Sequence, residues 1–277
     1  MGPTVRHFER RRLVNLSLLL LCVAMISAWV FAREETLRET QRLTGWMGFC
    51  AVLFLAAFNI RKRLSFLPLG RSSTWMQLHI YVGWLSIAIY IQHAGLHVPE
   101  GIHERALAAA FLLLAGSGII GLILTRYLPP LLARRGEEVI FERIPGFLER
   151  LRREAEEHVV ASVKRTSSTA IADFYSASLA RYMARHWDAW AHLLGFNASV
   201  ERRQHDMSEF KLCLSTESAA VFEELEGIVS KKSDLDFHYY GQGALKCWFF
   251  VHLPMTWLLL GLLLMHVALV LLYGGAA

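Results

Sequence analysis

Two stretches decide the reading of this chain: WMQLHIYVGWLSIAIYIQHAG at residues 75–95 and CWFFVHLPMTWLLLGLLLMHVALVLLY at residues 247–273. Neither contains a charged residue, and each carries two histidines fourteen positions apart: His79 and His93 in the first, His252 and His266 in the second. At roughly 100° per helical residue, fourteen steps come to about 1400°, within about 40° of whole turns, so both members of a pair share one face. A rise of about 1.5 Å per residue separates them by roughly 21 Å, which puts one imidazole towards each end of each helix. Two such helices running the same way present two facing pairs, His79 with His252 and His93 with His266. An imidazole in hydrocarbon costs free energy unless it is partnered, so such residues are usually functional. A pair facing across a gap is the ligand set of a bis-histidine haem. Zinc is the rival, but its ligands converge within about 2 Å of one ion, often from short spacings. Two well-separated pairs suit two large planar cofactors better.

The surrounding chain reads as a membrane protein. Of 277 residues, 54% are hydrophobic and only 19% charged, and the five apolar runs carry none of those charges. A net charge of +5 then bears on membrane orientation more than on nucleic acid, which is not an expected partner. The four cysteines, Cys22, Cys50, Cys213 and Cys247, form no C-x-x-C pair and no C-x-x-C-H for covalent haem. The apolar run 13–32 resembles a signal-peptide core. It is long enough to span the bilayer and lacks a clear cleavage site, so it reads as a retained first helix. Further spans are expected at about 45–60, 75–95, 106–125 and 247–273.

Orientation follows from RKRLSFLPLGRSS, residues 61–73, where Arg61, Lys62, Arg63 and Arg71 stand without an acid. The positive-inside rule makes this loop cytoplasmic, in agreement with the basic head MGPTVRHFERRR two spans earlier. Spans three and five then both run outward, so the pairs from spacing and the directions from charge agree. The expected location is a bacterial inner (cytoplasmic) membrane, with the N-terminus inside and the C-terminus outside.

Residues 127–245 are charged and too polar to enter lipid. LERLRREAEEHVVASV (148–163) and TAIADFYSASLARYMARHW (169–187) have amphipathic helical patterns, EEVIF before them suggests a short strand, and Pro129, Pro130, Pro145 and Gly146 punctuate the way in. The sequence therefore predicts an all-α membrane bundle of about five transmembrane helices. Residues 1–126 hold helices one to four, 127–245 form a mostly helical cytoplasmic insertion, and 246–277 hold helix five.

Around the histidines, Gly83 stands one turn after His79, where a missing side chain lets a porphyrin approach; ordinary helix packing is the alternative. Gly116, Ser117, Gly118 and Gly121 in span four allow close approach of a helix or a flat ring. Arg71, with Arg61 and Arg63, can pair with haem propionates, although positive-inside topology alone accounts for them. Trp75, Trp84, Trp248 and Trp257 can flank a macrocycle; for Trp75 and Trp248 the membrane interface is the favoured role. Pro254 is expected to bend span five or to start its regular part. His97 and His103 can bind or protonate a group near the outer surface, but the favoured reading is solvated loop residues; His238, fourteen before His252, reads as exposed or domain-contacting.

The pattern His79-x3-Gly83 and His93-Ala-Gly, with His252 and His266, resembles the haem-binding helices of di-haem b-type cytochromes. Ligands on the third and fifth helices after a basic loop are similar to the ferric-reductase-like transmembrane family. The spacing is also similar to the cytochrome b of quinol–cytochrome c reductases. The resemblance covers the membrane spans, about half the chain, and implies two non-covalent haems b with iron ligands His79, His93, His252 and His266. No counterpart of the ferric reductases' flavin and NADPH module or of the proline-glutamate quinol motif is seen. The expected function is electron transfer across the membrane between separate partners (a c-type cytochrome, flavoprotein or iron–sulfur protein, or a quinone pool), with no catalytic residue assigned. The alternatives are a quinol-oxidising or metal-reducing oxidoreductase with its own substrate site, and a haem-free membrane transporter or assembly protein.

Overall fold

In a computed structural model, residues 3–32, 37–63, 70–95, 97–135, 139–184 and 198–273 are described. All regular structure among them is helical: α1 (Pro3–Ala32), α2 (Leu37–Arg63), α3 (Ser72–Ala94), α4 (Ile102–Ala133), α5 (Ile144–Thr166), α6 (Ala170–Phe174), α7 (Ala180–Ala184), α8 (Ala198–Leu212) and α9 (Thr216–Tyr273). A π-helical turn, Tyr175–Leu179, joins α6 to α7. The chain divides into two compact units, Met1–Leu122 with Trp248–Ala277, and Ile123–Cys247.

Among the described residues, three helices are long and apolar enough to cross a membrane: Thr40–Asn59 within α2, all of α4, and α9. Asn15–Val30 of α1 is apolar but shorter. Polar Gln77, His79, Ser86, Gln92 and His93 lower the hydropathy of α3, which is not among the three. Large side chains such as Leu20, Met25, Leu113, Ile120, Leu271 and Leu272 stand more than half exposed. A water-soluble surface rarely offers so many, whereas lipid tolerates them.

In the first unit, α2 lies antiparallel to α3: Gly45 meets His93, Gly48 faces Ile89 and Phe58 meets His79. α4 is likewise antiparallel to the C-terminal part of α9. His103 meets His266, Ala110 and Leu259 share a cluster with Val52, Ser117 meets His252, and Gly121 meets Trp248. α3 also meets α4 through Tyr90 stacked on Phe111, with centroids 4.5 Å apart. Since α4 opposes both of its neighbours, α3 and α9 run in the same direction. Ala110 and Leu259 lie midway between the polar contacts, so an apolar layer separates two histidine levels. Gly95, with φ +66°, ends α3 two residues after His93, in a conformation that favours glycine.

The second unit is built on a heptad-like stripe. Ile144, Leu148, Leu151, Ala155 and Val159 line one face of α5. Three of these join Leu179, Met207, Phe222 and Leu225 in the main core. Pro145 sits in the first turn of α5, where its missing N–H costs nothing, and Ser167 closes the helix with φ +53°. Lys232, fully buried, pairs with Asp236 one turn on and lies 4.0 Å from the Tyr182 ring centroid. A hydrogen bond from Lys246 holds the Glu142 carboxyl below its usual range, and burial pushes the Asp234 carboxyl up.

Several local expectations are corrected. No strand forms at EEVIF among the described residues: Val139 and Ile140 are irregular and Phe141–Arg143 is one 3-10 turn. The Phe141 ring stacks on Tyr239 instead, with centroids 5.0 Å apart. Pro129 and Pro130 do not end α4, which runs on to Ala133. They fall near its end, where few backbone bonds remain to be lost, and buried Leu128 and Leu132 pack on Phe237. Pro254 does not begin a helix either, because α9 is continuous from Thr216. α9 runs through Gly241, where a side chain would come within 2.8 Å of Leu132. His238 is 3% exposed, which removes the exposed one of its two expected settings. Residues 185–187 of the expected second amphipathic helix, and 64–69 of the basic loop, lie outside the described residues, as do the side chains of Arg61, Lys62 and Arg63.

Candidate functional site

One level of the first unit gathers His93, His266 and His103 from three helices. The His93 and His266 ring centroids are 6.5 Å apart with planes at 88°. Metal–imidazole bonds of about 2 Å, with each ring centre roughly 1 Å behind its nitrogen, put two imidazoles on opposite sides of one ion about 6 Å apart. Two ligands at a tetrahedral angle would stand closer, at about 5 Å.

His93 is oriented by α2. Its Nδ1 lies 3.1 Å from the Gln41 carbonyl oxygen and 3.2 Å from Thr44 Oγ1. A carbonyl only accepts, so Nδ1–H donates and Nε2 is left bare, the tautomer that a metal-binding imidazole needs. Thr44, fully buried, in turn donates to the Thr40 carbonyl at 2.9 Å. Gly45 makes the approach possible: a Cβ there would lie 2.9 Å from His93 Cε1.

The second level holds His252 and His79. His252 Nδ1 lies 3.2 Å from Ser117 Oγ, a hydroxyl that can either donate or accept. The Trp248 ring stacks on the His252 ring at 5.1 Å, and its Nε1 donates to the Ser117 carbonyl at 2.8 Å. Trp248 is therefore part of the histidine's support. Gly121 is what admits it, since a Cβ would sit 2.0 Å from Trp248 Cζ2. His79 lies against Phe58, with ring centroids 5.0 Å apart. The structure thus brings His93 and His266 together, and gives His252 and His79 each a neighbouring ring of another kind.

Gly83 is half-buried, and a Cβ there would meet nothing within 4 Å, so space is open beside it. Its carbonyl accepts from Ser86 Oγ at 2.8 Å. Gly118 lies near the His252 ring, whereas Gly116 faces open space. Arg71 is the exposed N-cap of α3, two turns before His79. Trp75 stacks on Phe54, and Trp84 and Trp257 are exposed. Among the described residues, no three His, Cys, Asp or Glu side chains converge to hold a bare metal ion.

Sequence reasoning missed the supports. Thr44, Gln41 and Ser117 act on histidines 49, 52 and 135 positions away, so no local pattern marks them. One signal was there: His103 and Ser117 repeat the fourteen-residue spacing on α4. His103 is not a solvated loop residue but a first-turn residue of α4 whose Nε2 is buried.

The ring separation of His93 and His266 and the His93 tautomer set by Gln41 are what a pair of metal-binding imidazoles requires. Compared with protein-family models, curated proteins and solved structures, the chain matches none.

Proposed function

We propose that this chain is a membrane cytochrome that holds two haems b and passes electrons between two sides of a membrane. The observation that carries the reading is the 6.5 Å separation of His93 and His266, with the His93 Nδ1–H already committed to Gln41 and Thr44. The parallel course of α3 and α9 and the equal spacing of their histidines support a second site at His79 and His252. Five spans, with residues 127–245 on the cytoplasmic side, would place that site towards the cytoplasm and the His93 site outside.

Haem iron supplies one-electron exchange between its ferric and ferrous states. The chain's own residues do the rest. Two imidazoles leave no open position for oxygen or substrate, which favours electron transfer over catalysis. Thr44, Gln41 and Ser117 fix the orientation of their histidines, and outer-shell bonds of this kind tune the ligand's basicity. The apolar layer of Val52, Ala110 and Leu259 keeps water from between the two levels. Gly83 leaves room for a flat ring, and Arg71 offers a cation to an inner propionate. Separate redox proteins or a quinone serve as donor and acceptor in this reading. The membrane is bacterial and cytoplasmic in this reading.

Substituting the α9 ligands tests it. His266→Ala and His252→Ala should each halve the haem content, with the two variants retaining spectroscopically different haems. Retention of both haems in either variant would sink the assignment.

A further inference from the structure

The connection from α4 to α5 doubles back along α9. Gln242 donates to the Val139 carbonyl at 2.8 Å, and the Phe141 ring stacks on Tyr239. Lys246 reaches both the Phe141 ring, 4.1 Å from its centroid, and the Glu142 carboxylate. Lys246 is the last charged residue before the apolar run 247–273, and Arg126 is the first after the apolar run 106–125. Leu128 and Leu132 pack with Ala244 and Leu245, so the two helices lie side by side just past these charges. Arg126 and Lys246 therefore mark one edge of the hydrocarbon, and Glu142 is tied to it.

What this edge turns outwards is apolar and basic. Ile123, Tyr127 and Leu131 follow at steps of four on α4 and are 51%, 67% and 45% exposed, and exposed Arg134 comes next on the same face. Ile140, on the returning segment, is 57% exposed. Leu131 stands five residues beyond Arg126, about 7.5 Å of helical rise. The headgroup layer on one side of a bilayer is roughly 5–8 Å deep, so these side chains fall within it. Arg126, Arg134 and Arg143 are exposed, and among the described residues their side chains form no ion pair. The nearby acids Glu142 and Glu149 are matched by Lys246 and Arg152, while Glu137 and Glu138 lie outside the described residues.

We infer that residues 139–147 and the end of α4 form a docking surface for anionic phospholipid headgroups, with Arg126, Arg134 and Arg143 as the phosphate contacts. A guanidinium fork matches phosphate oxygens, and its apolar stem lies along the lipid boundary while the charge reaches the headgroup. Tyr127, Leu131 and Ile140 sit at the boundary between headgroups and acyl chains, where amphipathic surfaces bind. The charged block 127–245 is thus held against the membrane at this edge as well as tethered by α4 and α9. The surface is independent of what the histidines hold.

Hydrogen exchange of the full-length chain in nanodiscs tests it, with phosphatidylcholine alone and with added phosphatidylglycerol. Wild-type amides within residues 139–147 should exchange more slowly in the anionic discs, by about fivefold for each arginine engaged. The triple variant Arg126→Gln, Arg134→Gln, Arg143→Gln should exchange alike in both discs. Arg165→Gln, which removes a charge from the last turn of α5, should behave as wild type. Inorganic phosphate added to the phosphatidylcholine discs should leave exchange unchanged. Equal wild-type exchange in the two discs overturns the inference. So does slowing by free phosphate, a triple variant that keeps the lipid difference, or its loss in Arg165→Gln.

Discussion

The two histidine levels of the bundle are built differently. At one, three imidazoles from α3, α4 and α9 meet, with His93 held by two acceptors from α2. At the other, fourteen residues along the same helices, His252 is held by Ser117 alone and braced by the Trp248 ring, while His79 rests on Phe58. Equal spacing in the sequence thus gives two levels that differ in both arrangement and support. The first level is oriented by hydrogen bonds to a partner helix. The second depends on one hydroxyl and on packing around a tryptophan.

That contrast can be broken from either side. The largest effect is expected at Gly121, where any Cβ collides with Trp248 at 2.0 Å. Gly121→Ala should lower stability by about 1–3 kcal/mol through overpacking, seen as an earlier thermal midpoint, and should perturb the spectrum of the haem at His252. Gly45→Ala meets the rim of the His93 ring at 2.9 Å, a milder clash, and should perturb the other haem with a smaller loss of stability. If both variants changed the same haem, the two levels would not be separate.

Smaller effects should follow from the hydroxyls. Ser117→Ala removes the side-chain hydrogen-bond partner of His252, whereas Thr44→Val leaves His93 with the Gln41 carbonyl. Each lost bond is worth about 1 kcal/mol, but only Ser117→Ala frees its imidazole to turn. A midpoint-potential titration should show a clear shift of one haem in Ser117→Ala and a lesser shift of the other in Thr44→Val. The reverse order would mean that Gln41 contributes little.

The apolar runs and the fourteen-residue spacing could be read from sequence because lipid and helical geometry act on every residue of a span. The polar supports could not, because Ser117 reaches His252 only once α4 and α9 are packed antiparallel. Pro129 and Pro130 misled for a related reason. Their local preference is to interrupt a helix, but α4 continues through them to Ala133. His103 was misread because its distance from a predicted span end was short. The structure extends α4 to Ile102, so the residue enters the bundle.

The central claim is that this chain carries two bis-histidine haems. The most direct measurement is the haem-to-protein ratio of the purified chain, taken with its reduced-minus-oxidised spectrum. The account predicts two haems b per chain, both low-spin. A ratio near zero, or a spectrum without a b-type band, would contradict it.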